Sequence, residues 1–323
     1  MRFLIMLAFA TTLAPAADSV PEATISNGSL KARFYLPDAH RGYYRGTRFD
    51  WAGVIPSLEF KGHNYFGVWF DKYDPKLHDA ITGPVEEFYF QDAALGWAEA
   101  KPGETFVRIG VGVLRKPADA QKFDRFHTYD VVDGGKWTVK PHRGSIEFHH
   151  VLADKASGYS YDYHKIVRLA AEAKPEMVIE HVLKNTGVNV IETDVYNHNF
   201  FVIDGQQTGP DLAVTFPFDP KSLRDMGGLA ELRGRELAYK RIVGQDEHVM
   251  TEIAGYGEAL SDHSFKVENR KTGAGVRVSG DHPMSKLLFW CGWKVLSPEN
   301  YVTMKIEPGK EFKWTVRYEF YTL

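Results

Sequence analysis

Near the end of the chain, Glu311-Phe312-Lys313-Trp314-Thr315-Val316-Arg317-Tyr318-Glu319-Phe320 reads with a period of two. Phe312, Trp314, Val316, Tyr318 and Phe320 fall on one face, and Lys313, Thr315, Arg317 and Glu319 on the other. A strand with one buried and one wet face requires this alternation, and no helical phase gathers those five apolar residues together. Working outward, Thr105, Val107, Ile109, Val111 and Val113 repeat the pattern as one strand through Gly110 and Gly112. Shorter strand runs occupy 30–35, 137–139, 145–152, 159–169, 177–183 and 275–278. Turn formers separate them: Asn27-Gly28, Asp133-Gly134-Gly135, Asn185-Thr186-Gly187 and Glu307-Pro308-Gly309-Lys310. The segment 223–243 comes nearest to a helix, but Gly227, Gly228 and Gly234 interrupt it. The expected class is all-β, a large antiparallel β-sandwich.

The chain has 323 residues, with no internal repeat or low-complexity linker, so one domain over 17–323 is expected. Hydrophobic residues at 44% supply a real core, and a net charge of -3 gives no basic field for nucleic acid or anionic lipid. Aromatic residues at 14% suit sheets, and they suit sugar sites, where flat C–H faces pack on rings. Residues 1–16 have the form of a secretory signal peptide. Arg2 precedes the apolar run Phe3–Leu13, and Ala14-Pro15-Ala16 matches a small-x-small cleavage site. The expectation is an exported, periplasmic protein with no membrane span in the mature chain. Cys291 is the single cysteine, so no intramolecular disulfide forms.

Several motifs are absent. There is no G-x-S-x-G elbow and no His-Glu-x-x-His, and Gly110-Val111-Gly112 lacks the third glycine of a dinucleotide loop. His142, His149 and His150 form the densest histidine group. Adjacent residues on a strand face opposite ways, so His149 and His150 do not share an ion, and no metal site is expected. Glu86-Glu87 reads equally as a carboxylate for a sugar hydroxyl or as a solvated turn.

Two segments carry more together than apart. Tyr196-Asn197-His198-Asn199-Phe200-Phe201 stands beside the strand-like run 200–203, ahead of Asp204-Gly205. Leu288 to Tyr301, L-F-W-C-G-W-K-V-L-S-P-E-N-Y, contains Glu299, and Pro308-Gly309-Lys310-Glu311 leads into the closing strand. This set resembles the aldose 1-epimerase, or galactose mutarotase-like, superfamily. Its members carry a catalytic His in an Asn-His-x-Tyr/Phe-Phe segment and a Glu on a late strand ahead of a similar turn. The resemblance implies a galactose mutarotase-like supersandwich with His198 and Glu299 as catalytic residues. It covers the whole mature chain, with the two late motifs the specific ones. Tyr44 to Gly53 looks like the family's first hairpin, which implies Arg48 and Asp50 as sugar contacts, although a surface ion pair explains them equally. The family's early His-Gly segment is not recognisable. The stretch 77–88, with His78 and Glu87, stands about where it would be, and both are candidate contacts. Asn197, beside His198, is a further one.

The implied chemistry needs no cofactor. Interconverting anomers requires a base at the C1 hydroxyl and an acid at the ring oxygen, each contributing roughly 10²–10⁴-fold. The resemblance makes His198 the acid and an ionised Glu299 the base. The expected partner is an unphosphorylated aldose or a glycan end. The readings of another class are a non-catalytic carbohydrate-binding or accessory protein, and a sandwich-fold polysaccharide lyase or hydrolase.

Overall fold

The computed structural model describes residues 19–91, 93–171 and 174–323. The signal peptide expected at 1–16 lies outside the described residues. Regular structure is almost entirely strand, with two 3-10 turns at Ile203–Gly205 and Leu260–Asp262. Among the described residues no helix is long and apolar enough to cross a membrane.

Two antiparallel sheets carry the architecture. The larger has ten strands, in the spatial order Ala230–Arg233, Glu236–Tyr239, Leu212–Thr215, Ser264–Asn269, Ala274–Gly280, Glu311–Thr322, Glu176–Asn185, Tyr159–Leu169, Ser145–Asp154 and Lys136–Pro141. The second has six: Lys221–Ser222, Val249–Ala254, Lys286–Gly292, Val295–Ile306, Ile191–His198 and Val85–Tyr89. Their inner faces meet. Phe88 of the smaller sheet packs edge-on against Tyr163 and Trp314 of the larger, with ring centroids 5.7 and 6.1 Å away. The joint core runs from Ile25 to Phe320. The closing strand behaves as its alternation requires, with Trp314, Val316, Tyr318 and Phe320 buried and Lys313, Arg317 and Glu319 toward solvent.

Three expectations change. The run 105–113 is a hairpin, Thr105–Arg108 paired with Gly112–Arg115, because Gly110 turns the chain at φ 77°. The stretch 223–243 contains a second hairpin, Ala230–Arg233 with Glu236–Tyr239, and Gly234 holds its turn at φ 59°. The strand-like run 200–203 is not a regular strand: Ile191–His198 closes at His198, Phe200 leaves with φ 43°, and a 3-10 turn begins at Ile203. His149 and His150 do face opposite sides, and the partner of His149 across the sheet is His164.

Candidate active site

The six-stranded sheet has one face against the larger sheet and the other open to a cleft, and strand parity sorts the candidates. Along Ile191–His198, Tyr196 and His198 share the cleft face, and Asn197 points inward. Tyr196 pairs with Tyr301 on the neighbouring strand. The same register, continued by two residues, sets His198 opposite Glu299. It resumes unchanged at the Phe201–Leu296 bridge.

Between those pairs the ladder is interrupted, and the sequence explains why. Pro298 has no N–H to give. Asn199 fills the gap: its side-chain amide donates to the Pro298 and Asn197 carbonyls at 2.6 and 3.2 Å, and its backbone N–H donates to Ser297 Oγ at 2.9 Å. Tyr318 Oη donates to Asn199 Oδ1 at 2.8 Å, fastening the break to the larger sheet. His198 and Glu299 sit on the two lips of this break.

Their side chains meet, with His198 Nε2 3.2 Å from Glu299 Oε1, and both are almost fully buried. The His198 ring stacks on Phe200 at 3.7 Å and meets the edges of Phe49 and Trp290. Its Nδ1 is buried without a hydrogen bond inside the protein. Both residues line a cleft of about 440 Å³, within the range of ligand pockets. Arg48, His78 and Asp79 form another wall, Arg125 and Phe126 a third, and Leu288 and Trp290 continue the sheet floor.

Electrostatics favour a neutral pair. Burial, and then the positive charge of Arg48, pull His198 well below its usual value. Burial pushes Glu299 up to about 8 against the downward pull of Arg125 and Arg48. Both shifts run against the expectation of an ionised Glu299 beside a protonated His198. The two shifts share a cause: a dry site penalises two charges more than their attraction returns, which favours the neutral forms.

Of the other candidates, Arg48 and His78 reach the cleft. Glu87 is on the cleft face but lies beneath it, fully buried. It accepts hydrogen bonds from Arg48 Nε at 2.9 Å, an Arg108 amino group at 3.0 Å, and Arg125 and Tyr196 at 2.5 Å each. Burial alone would raise the Glu87 carboxyl, but Arg125, Arg48 and Arg108 outweigh it and hold it far below the usual range. Glu87 therefore positions the arginines and does not face a ligand. Arg48 also pairs with Asp79.

Asp50 and Asn197 lie on the core side, away from the cleft. Asn197 Nδ2 donates to Glu86 Oε1 at 2.8 Å, and His181 Nε2 lies 2.9 Å from the same oxygen. Lys165 pairs with Glu86 and lies 3.4 Å from Asp50 Oδ2. The Arg48–Asp50 surface pair does not form, because each finds a separate buried partner. Arg125, Phe126 and Trp290 were not among the sequence candidates. Their one signal is local: Phe123-Asp124-Arg125-Phe126-His127-Thr128-Tyr129 packs aromatic and basic residues into a segment without strand alternation.

No family model matches the chain, and no curated protein matches its sequence. Solved structures do. The Slr1438 protein from Synechocystis sp. PCC 6803 superposes with a TM-score of 0.57 at 13% identity, covering 98% of this chain and 100% of that one. An aldose epimerase homologue from C. elegans gives 0.56 at 14% identity, covering 94% and 100%. A galactose mutarotase related enzyme from Lactobacillus acidophilus gives 0.55 at 13%, covering 94% and 98%. The all-β topology, the two packed antiparallel sheets and these full-length superpositions agree: the chain has the galactose mutarotase-like fold.

Proposed function

We propose that the protein is an exported aldose 1-epimerase-like enzyme whose cleft binds a sugar and whose His198–Glu299 pair interconverts its anomers. The carrying observation is the 3.2 Å contact between the two side chains on one wall of the cleft. O1 and the ring oxygen O5 are both bonded to C1, so the groups that serve them must also lie side by side. A pyranose entering the cleft exchanges the His198–Glu299 hydrogen bond for one from each residue.

With the proton on Glu299, the step balances without a cofactor. His198 Nε2 takes the O1 proton, Glu299 gives its proton to O5, the C1–O5 bond breaks, and a C1=O1 aldehyde forms. Rotation about C1–C2 presents the other carbonyl face. O5 then attacks it, returning its proton to Glu299, and O1 recovers the proton held by His198. Phe126 and Trp290 offer apolar ring surface to sugar C–H faces. Export rests on the 1–16 segment, and it favours an unphosphorylated substrate.

The lyase or hydrolase reading would want a Tyr or Arg base system, or paired carboxylates in a longer cleft, and the two tyrosine hydroxyls nearest the pair are engaged. Tyr196 Oη is held by Glu87 and Arg125, and Tyr301 Oη by Tyr89 and Glu299. The test is the anomerisation of freshly dissolved α-glucose, α-galactose and other aldoses, followed by polarimetry or NMR. Acceleration over the spontaneous rate by wild type, lost in His198→Asn and Glu299→Gln, is the expected result. Sugar binding without acceleration would leave the carbohydrate-binding reading in its place.

A further inference from the structure

The outer face of the ten-stranded sheet carries a cluster that neither the core nor the cleft uses. His149 and His164 are direct cross-strand partners, and Asp162 lies two residues before His164 on the same face. The two imidazole rings stack at 3.9 Å and 14°. Both Nε2 atoms lie 2.9 Å from one oxygen, Asp162 Oδ1. The three donor atoms fall within 4.8 Å of one another, and among the described residues this is the one such group of three or more. The cross-strand flanks of the two histidines, Thr138 beyond His149 and Val182 beyond His164, are uncharged, while Asp162 has Lys184 as its partner on the next strand.

We propose that His149, Asp162 and His164 form a surface binding site for a divalent transition-metal ion. Two imidazoles and a carboxylate, with no thiolate, suit borderline cations such as Zn²⁺, Cu²⁺ or Ni²⁺ over Ca²⁺ or Mg²⁺. Donors bound at about 2.1 Å in a tetrahedral set stand about 3.4 Å apart, so each His–Asp162 spacing must open by only about 0.5 Å. The long paired strands hold the donors in place, and the ion takes the position between each His Nε2 and Asp162 Oδ1 that now closes at 2.9 Å. The side chains are 34–50% exposed, so an ion can enter and a further coordination position stays open to water or a ligand. Sequence alternation correctly separates His149 from His150, but it cannot see His164, which only the sheet register brings alongside.

The experiment titrates ZnCl₂ into untagged full-length protein by calorimetry and records Cu²⁺ electron paramagnetic resonance at one equivalent. One saturable site is expected, with hyperfine structure from two imidazole nitrogens. His149→Ala, Asp162→Asn and His164→Ala should each weaken Zn²⁺ binding by about tenfold or more. In His164→Ala the copper signal should fall to a single nitrogen. His142→Ala, at an exposed histidine outside the cluster, should bind as wild type does. Absence of saturable Zn²⁺ binding, or binding that survives all three substitutions, overturns the proposal. All three positions are on the surface, and unchanged melting curves will show that the variants fold.

Discussion

Glu86 and Glu87 are neighbours in sequence and send their carboxylates to opposite faces of one fully buried strand. Glu86 reaches inward to Lys165, His181 and Asn197, between the sheets. Glu87 reaches outward to Arg48, Arg108 and Arg125, under the cleft. One pair of adjacent acids thus ties the sandwich together and sets the charged wall of the site.

Removing the outward charge should damage both stability and binding. Glu87→Gln leaves three guanidinium groups without their common partner, and breaking a buried ion pair costs about 3–5 kcal/mol. Chemical denaturation should show a loss of that order. Where the variant remains folded, sugar affinity measured by calorimetry should fall, because Arg48 and Arg125 lose the group that aims them. An affinity equal to wild type would show that the arginines are positioned by something else.

The Glu299 carboxyl, raised to about 8 from its ordinary 4.5, makes both rate and stability depend on pH. The folded chain keeps a proton there that the unfolded chain gives up above 4.5. Stability contributed by this group is therefore lost as pH rises through about 8. Glu299→Gln carries no such dependence, so its melting temperature should gain on wild type between about pH 5 and pH 9. Enzymatic anomerisation, after subtraction of the spontaneous rate, should decline above about pH 8. Because His198 is depressed below 6.5, the rate should stay level through that value on the acid side.

If His198 and Glu299 act as one proton-sharing unit, their substitutions will not add. His198→Asn and Glu299→Gln should each cost about 10²–10⁴-fold in kcat, and the double variant should cost little more than the worse single one. Additive losses would indicate independent roles. Near-ultraviolet circular dichroism would confirm that the cleft keeps its packing.

The glycine at the hairpin turn gives a purely structural test. A Cβ at Gly110 would stand 2.5 Å from Asp50 Oδ1, on a backbone at φ 77°. Gly234 also has positive φ, but nothing lies within 4 Å of the same position. Gly234→Ala should therefore cost only the left-handed strain, about 1–2 kcal/mol. Gly110→Ala should cost clearly more, because it also displaces a buried carboxylate. Equal unfolding midpoints for the two variants would contradict this.

Legibility in the sequence followed regularity. The closing strand could be read residue by residue, because alternation is a local property. His198 and Glu299 were found through their motifs, and the sheet brings them together on a single register. The Arg48–Asp50 pairing failed because 45–52 is a loop, where i and i+2 share no face. Arg48 and Asp50 instead find partners 39 and 115 residues away. The electrostatics of the His198–Glu299 pair were also out of reach, since they depend on how dry the site is and on Arg125, which no motif marks.

Phe126 is the cleft residue whose contribution can be isolated most cleanly. It sits in the loop the sequence left unassigned, it is about half exposed at 49%, and it is not part of the sheet floor. The Arg48 and Arg125 guanidiniums approach its ring at 4.9 and 5.5 Å, so the ring shields charged groups from water while offering its own surface to a ligand. Phe126→Ala removes that surface but no core packing, and the melting temperature should move little. Sugar affinity should fall by about two- to tenfold, the scale of one lost aromatic contact of about 0.5–1.5 kcal/mol. The effect should appear in KM, with kcat nearly unchanged, because the ring touches neither O1 nor the proton-sharing pair. A loss confined to kcat would place Phe126 in the chemistry instead of the binding surface.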